Sequence, residues 1–203
     1  MLDFMARKLD DTGKAILNAA DRVLSVEGPE ALTVRRIASE AGLSTMGVYS
    51  RFGGKEGVVD QLRIDGFQIL VDTMATTATT DQATEDLRAC GRNYRKFALA
   101  HPTHYRVMFG SALNDCATSD DALTAGHEAF ARLVERIRRA QSMGDVRDDV
   151  DSETIAEVVW STIHGHVALE LRSMHPTAST ENEARFERVL DQIVRGWAPD
   201  PQP

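Results

Sequence analysis

At 203 residues, with 42% hydrophobic and 27% charged side chains, the chain has an ordinary globular composition and room for a substantial core. A formal net charge of -8 excludes a uniformly basic nucleic-acid coat, so any contact with nucleic acid must come from local charge. The two cysteines, Cys90 and Cys116, read as reduced thiols rather than a secreted disulfide framework. With no signal peptide and no apolar run near the roughly 20 residues of a membrane span, a cytoplasmic protein is expected.

Apolar residues recur at helical spacing along nearly the whole chain, and no alternating runs flank a tight hairpin turn; the expected fold is all-α. A first helix from about Thr12 to Glu27 places Ile16, Ala20, Val23 and Leu24 on one side, and Gly28-Pro29 ends it. Upstream, Arg7 and Lys8 read as solvated tail charges, with a basic arm on phosphate or minor groove as the alternative.

The next stretch, LTVRRIASEAGLSTMGVYSRFGGK from Leu32 to Lys55, has the grammar of two short helices around a tight turn. Thr33 caps a helix beginning at Val34, Ile37 and Ala38 face inward, Gly42 supplies a left-handed stop and Leu43 plugs the corner. Ser44 or Thr45 caps a second helix that buries Val48 and Phe52 and turns Thr45, Met46, Tyr49, Ser50 and Arg51 outward. A helix-turn-helix needs this arrangement to lay its second helix in a major groove, and an ordinary helical hairpin has no reason to gather Tyr49, Arg51 and Lys55 at one edge.

Charge supports a compact contact rather than a long track. Up to Asp65 there are nine Lys and Arg against ten Asp and Glu, leaving fourteen against twenty-one beyond it. Between Ala31 and Arg63 the bases Arg35, Arg36, Arg51, Lys55 and Arg63 outnumber Glu40, Glu56 and Asp60.

Beyond Lys55 the spacing predicts a helix to about Thr80, roughly 39 Å long at ~1.5 Å per residue, with Gly66 as a soft point in a connecting rod. Helices follow at Thr84 to Ala100, with Leu87, Cys90, Tyr94, Phe97 and Ala98 inward, and at Pro102 to Phe109. Another runs from about Asp120 to Ser142, with Leu123, Phe130, Val134 and Ile137 inward and Gly144 as its stop. Ile155 to Met174 carries a wide apolar arc that needs two partners, and Glu183 to Trp197 a single stripe. Pairing both with a second copy in a four-helix bundle makes the chain a homodimer through helices near 155-174 and 183-197.

The segment ALTVRRIASEAGLSTMGVYSRFGGKEGVVDQL, with its Tyr near the end of the second helix and F-x-x-K-E at the start of the next, resembles the DNA-binding domain of TetR-family bacterial transcriptional regulators. HPTHYRVMFG and WSTIHGHVALEL resemble the C-terminal domain of the subgroup named for its Trp, His and Gly, here Trp160, His164 and Gly165. The resemblance implies an N-terminal helix-turn-helix DNA-binding domain over 1-54 and a helical effector-binding and dimerisation domain over 55-203. It further implies a homodimer on a pseudo-palindromic operator in double-stranded DNA, usually repressing transcription and released by a small-molecule effector, with no enzymatic step, cofactor or membrane. On this resemblance Thr33, Tyr49 and Lys55 match phosphate-contacting positions, Arg35 and Thr45 match positions that reach base edges, and Gly47 lets the backbone approach closely. Ser44, Met46, Ser50 and Arg51 complete the DNA-facing set, although Arg51 stands where the family often has His.

For an effector, Tyr94, Phe97, Tyr105, Met108, Phe109, Phe130, Trp160 and His164 are the groups able to line a cavity for a largely apolar small molecule. Tyr94, Tyr105 and His164 are preferred because each brings a polar tip to an apolar wall. Control without a small molecule, for example redox control through Cys90 with Arg88 and Arg92 nearby, is the alternative. An all-helical enzyme is less favoured. His164 and His166 point to different helix faces, His101 and His104 straddle a break, and Gly54-Lys55 lacks the residues of a phosphate loop, so no metal site is expected.

Overall fold

The computed structural model describes residues 9–113, 115–174 and 181–199. Among them the helices are α1 (Asp11–Val26), α2 (Val34–Ala41), α3 (Thr45–Phe52), α4 (Lys55–Ala75), α5 (Ala83–Ala100), α6 (Pro102–Phe109), α7 (Asp120–Ser142), α8 (Ser152–Leu171) and α9 (Asn182–Gly196), with short 3-10 turns at Pro29–Ala31 and Ser111–Leu113. The fold is all-α, as the periodicity requires. None of the described helices is long and apolar enough to cross a membrane. Arg7 and Lys8 lie outside the described residues.

The chain divides into two compact units, one within Met1–Gly66 and Thr103–Leu123, the other within Phe67–Pro102 and Thr124–Pro203; α4 begins in the first and ends in the second. The first unit is built on Ile16, Ala20, Val23, Ile37, Val48, Val58 and Leu62, all buried, with Val107 and Leu113 joining them from α6 and the turn after it. Each of the valine, leucine and isoleucine side chains contributes about 1.5–3 kcal/mol by leaving water.

Arg63 is not one of the surface bases that the sequence suggests. It is only 6% exposed. Its guanidinium donates to the carbonyls of Val107 (3.4 Å), Leu113 (3.1 Å) and Ala117 (3.0 Å), which ties α4 to the segment between α6 and α7. A buried cation persists only when its donors are matched in this way. Asp60 adds a second tie by accepting the Ser119 amide at 2.9 Å.

Gly66 is not a soft point. It is buried in α4 where α6 crosses, and a Cβ there would press on the Met108 sulfur. The rod also stops sooner than the periodicity suggests. After Ala75 come Thr76, Thr77, Thr79 and Thr80, β-branched hydroxyl residues that favour local bonds over helix; Thr76 Oγ1 donates to the Thr73 carbonyl at 2.7 Å. With 21 residues, α4 is about 31 Å long at ~1.5 Å per residue.

In the second unit α5 packs with α8 and α9 over Phe97, Ile155, Val159, Ile163, Val167, Phe186 and Leu190. Ion pairs fix the register: Arg95 grips Glu170 with bonds of 2.8 and 2.6 Å, Arg92 grips Glu187 at 2.8 Å, and Arg88 meets Asp191 at 3.2 Å. The N-cap of α8 is Asp151, which accepts the Thr154 amide at 2.8 Å and starts the helix earlier than Ile155. One inward assignment fails. Leu123 is exposed, because Ala122, Ala125 and Gly126 take the inner side of α7, with Gly126 against Phe67. Val158 is 46% exposed, so the surplus apolar face of α8 is Val158 with Leu169, itself 45% exposed.

Candidate nucleic-acid interface

Each helix of the N-terminal trio is started by a side-chain cap. Asp10 accepts the Gly13 amide at 2.7 Å, Thr33 accepts the Arg36 amide at 3.1 Å and Ser44 accepts the Gly47 amide at 3.3 Å. Between α2 and α3 the chain turns at Gly42, φ 68°, a left-handed conformation that costs L-residues with a Cβ. There the Leu43 amide reaches back to the Ala38 carbonyl at 2.9 Å, and Leu43 packs on the core. The turn chemistry read from sequence is the turn observed.

With the trio in place, α3 buries Val48, half-buries Phe52 and leaves Thr45, Met46, Tyr49 and Ser50 exposed, Met46 by 71% and Tyr49 by 52%. A methionine and a tyrosine so open to water on a short helix are poor for an isolated fold and suited to a contact surface. Gly47 is half-buried, and the Ser50 hydroxyl donates to its carbonyl at 3.1 Å. Arg35 is exposed on α2 and makes no side-chain hydrogen bond or ion pair with the described residues.

Other bases are committed within the fold. Arg36 bridges Glu27 (2.6 Å) and Glu40 (2.8 Å), while Arg22 holds the same Glu40 at 2.8 Å, clamping α1 to α2. Hydrogen bonds from Arg22 and Arg36 hold the Glu40 carboxyl below its usual range. Arg51, expected to point outward, pairs with Asp10 at 2.8 Å and ties α3 to the start of α1. That bond, with the Gly13 amide, lowers the Asp10 pKa to about 2. Lys55 lies 3.3 Å from Asp115.

Thr33, Tyr49 and Lys55 line one cleft of about 660 Å³, at the junction of α2, the end of α3 and the start of α4. Asp115 lines it too. Sequence reasoning gave no hint of Asp115, which sits sixty residues away in a polar loop.

The eight effector candidates fall into both units. In the second, Tyr94 Oη lies 3.0 Å from His164 Nδ1, His164 contacts Trp160 at 5.7 Å between ring centroids, and Trp160 meets Phe130 edge-on at 6.1 Å. Burial lowers the His164 pKa from its ordinary value, which disfavours the charged ring and suits such a wall. Phe97 is fully buried and stacks on His101. Tyr105, Met108 and Phe109 are in the first unit, where Tyr105 and Phe109 make an edge contact at 5.1 Å. A cavity of about 410 Å³ in the second unit is lined by other residues, among them Val71, Met74, Ala83, Arg132 and Arg136. Arg136 donates to the Met74 and Thr77 carbonyls.

The surroundings of Cys90 do not favour a thiolate. Arg88 and Arg92 are engaged with Glu85, Asp191 and Glu187, and burial pushes the Cys90 thiol up to about 11, far from a thiolate.

Comparison with known proteins agrees with this geometry. Residues 16–62 match the family described as bacterial regulatory proteins, tetR family, and residues 87–193 match the tetracyclin repressor-like C-terminal domain. The HTH-type transcriptional regulator Rv1816 of Mycobacterium tuberculosis is 25% identical over 142 residues, 66% of this chain; the chain spans 60% of the length of that relative. A solved structure of a protein of unknown function from Rhodococcus sp. RHA1 is 26% identical, covers 96% of this chain and 99% of its own, and superposes with a TM-score of 0.78. The fatty acid degradation regulator FadR from Bacillus halodurans, 18% identical, shares the fold with a TM-score of 0.76 over 93% of this chain and 97% of its own. Since the C-terminal match alone spans more than half of the chain, the protein belongs to the tetR family of bacterial regulatory proteins.

Proposed function

We propose that the protein is a ligand-responsive repressor that binds a pseudo-palindromic DNA operator as a homodimer and leaves it when a small molecule binds. The convergence of Thr33, Tyr49 and Lys55 on one cleft beside the exposed face of α3 carries this reading. It gives a phosphate three polar partners next to a helix able to enter a major groove. Arg35, Ser44, Thr45, Met46, Gly47, Ser50 and Arg51 complete the surface, with Arg51 acting chiefly by holding α3 to Asp10.

Arg35→Ala is expected to relax base preference at one position of each half-site, by about 1–3 kcal/mol of discrimination. Lys55→Ala is expected to weaken all duplexes alike and to flatten the salt dependence by about 0.9 for each phosphate that is no longer neutralised. Titrations of matched and mismatched duplexes across salt concentrations check both, and the opposite pattern rejects both roles.

The division of labour proposed is 1-54 for DNA and 55-203 for effector and dimer. The dimer would form through α8 and α9, where Val158 and Leu169 await cover. Leu169→Glu is expected to give monomers in sedimentation equilibrium; an unchanged dimer removes this face from the interface. For the effector, the Tyr94, His164, Trp160 and Phe130 group offers an apolar wall with polar tips. Occupation would bias α4, the helix shared by both units, toward a setting in which two recognition helices no longer match one DNA face.

A further inference from the structure

The cleft assigned to a DNA phosphate is negative before any DNA arrives. Among the described residues that line it, Lys55 is the one cation, against Glu30, Glu56 and Asp115. Lys55 Nζ is engaged with Asp115 Oδ2 at 3.3 Å. A carboxylate in that place takes one of the ammonium's three N–H donors and offsets its charge, so a phosphate oxygen arriving there meets a lysine already partly engaged.

Asp115 is not on a loose tail. The residues around it are tied to α4 by Arg63, which holds the Leu113 and Ala117 carbonyls, and by Asp60, which holds the Ser119 amide. The hydrogen bond from Lys55 keeps the Asp115 carboxyl below its ordinary range, so no pH change near neutrality frees the lysine; release must come by competition or by movement of the segment. That segment runs directly into α7, which passes from the first unit to the second after Leu123.

We propose that Asp115 is an internal competitor for the DNA phosphate at Lys55, lowering operator affinity in the resting protein and setting how firmly each half-site is held. The inference rests on the assignment of Lys55 to DNA. It supplies a second handle on release besides α4, because any shift in the start of α7 alters how Asp115 is presented.

The test uses the full chain and a duplex enriched from a random library by the wild-type protein. Affinities of wild type, Asp115→Asn, Lys55→Ala and the double variant are measured by fluorescence anisotropy between about 50 and 200 mM KCl. Asp115→Asn, isosteric and exposed, is expected to bind roughly two- to fivefold tighter per protomer engaged, the range an exposed ion pair supports. Its plot of log affinity against log salt is expected to be steeper than that of the wild type, since salt no longer also weakens an internal competitor for Lys55. In the Lys55→Ala background the Asn substitution is expected to change nothing. Unchanged affinity and slope in Asp115→Asn, with wild type binding normally, overturn the competitor, and so does an equal gain without Lys55, which would mark plain repulsion. Failure of the wild type to enrich any duplex overturns the DNA-binding reading, and this inference with it.

Discussion

An Arg63→Met variant is expected to lose roughly 2–4 kcal/mol of unfolding free energy, because the Val107 and Ala117 carbonyls lose this donor at about 1–3 kcal/mol each, while the Leu113 carbonyl keeps the Cys116 amide. Methionine matches the length of the aliphatic stem, so the loss isolates the hydrogen bonds from the packing. Urea unfolding followed by circular dichroism checks it, and a loss below about 1 kcal/mol would mean that water takes over the carbonyls. The same variant frees the segment carrying Asp115, so any fraction that stays folded is expected to show a changed salt dependence of DNA binding.

Gly57→Ala is expected to damage recognition more directly. A Cβ at Gly57 would overlap the carbonyl oxygen of Phe52, the last residue of α3, and a backbone atom has no rotamer to retreat to. Relief must come from moving α3 against the start of α4, at a cost of about 1–3 kcal/mol or more. Such a movement shifts Tyr49 and Lys55 apart, so operator affinity is expected to fall by more than tenfold, the factor that about 1.4 kcal/mol represents at one half-site, even where the protein remains folded. Near-native stability together with near-native affinity would show that the junction is looser than the structure implies.

These variants mark where sequence reasoning succeeded and where it ran out. Thr33, Gly42 and Ser44 were legible because caps and left-handed turns depend on neighbours three residues away, and the spacing of Val48 and Phe52 on α3 leaves one inward face. Arg63 was not legible. Its three acceptors lie some fifty residues away, and no periodicity distinguishes an arginine that holds carbonyls from one that faces water. The same distance hid Asp115 from Lys55 and Asp10 from Arg51. In the C-terminal unit, helix positions followed from spacing, but the inner face of α7 did not. There small residues, not Leu123, allow close approach, and hydrophobicity alone chose the wrong side.

The bearing of the ion pairs on function follows from the same side chains. Of the bases between Ala31 and Arg63, Arg36 and Arg51 hold helices together and Arg63 is interior, which leaves Arg35 in the open and Lys55 contested. One copy therefore brings little net charge to DNA, which is consistent with the proposed pairing of two copies on linked half-sites.

Enrichment of random duplexes by the purified protein, followed by footprinting of the selected sequence, tests the central claim most directly. The expected result is a protected palindrome whose half-sites lie on one face of the duplex, with protection weakened throughout by Lys55→Ala and altered at one base position per half-site by Arg35→Ala. Failure to enrich any sequence, or protection of a single unpaired half-site that ignores both substitutions, would contradict it.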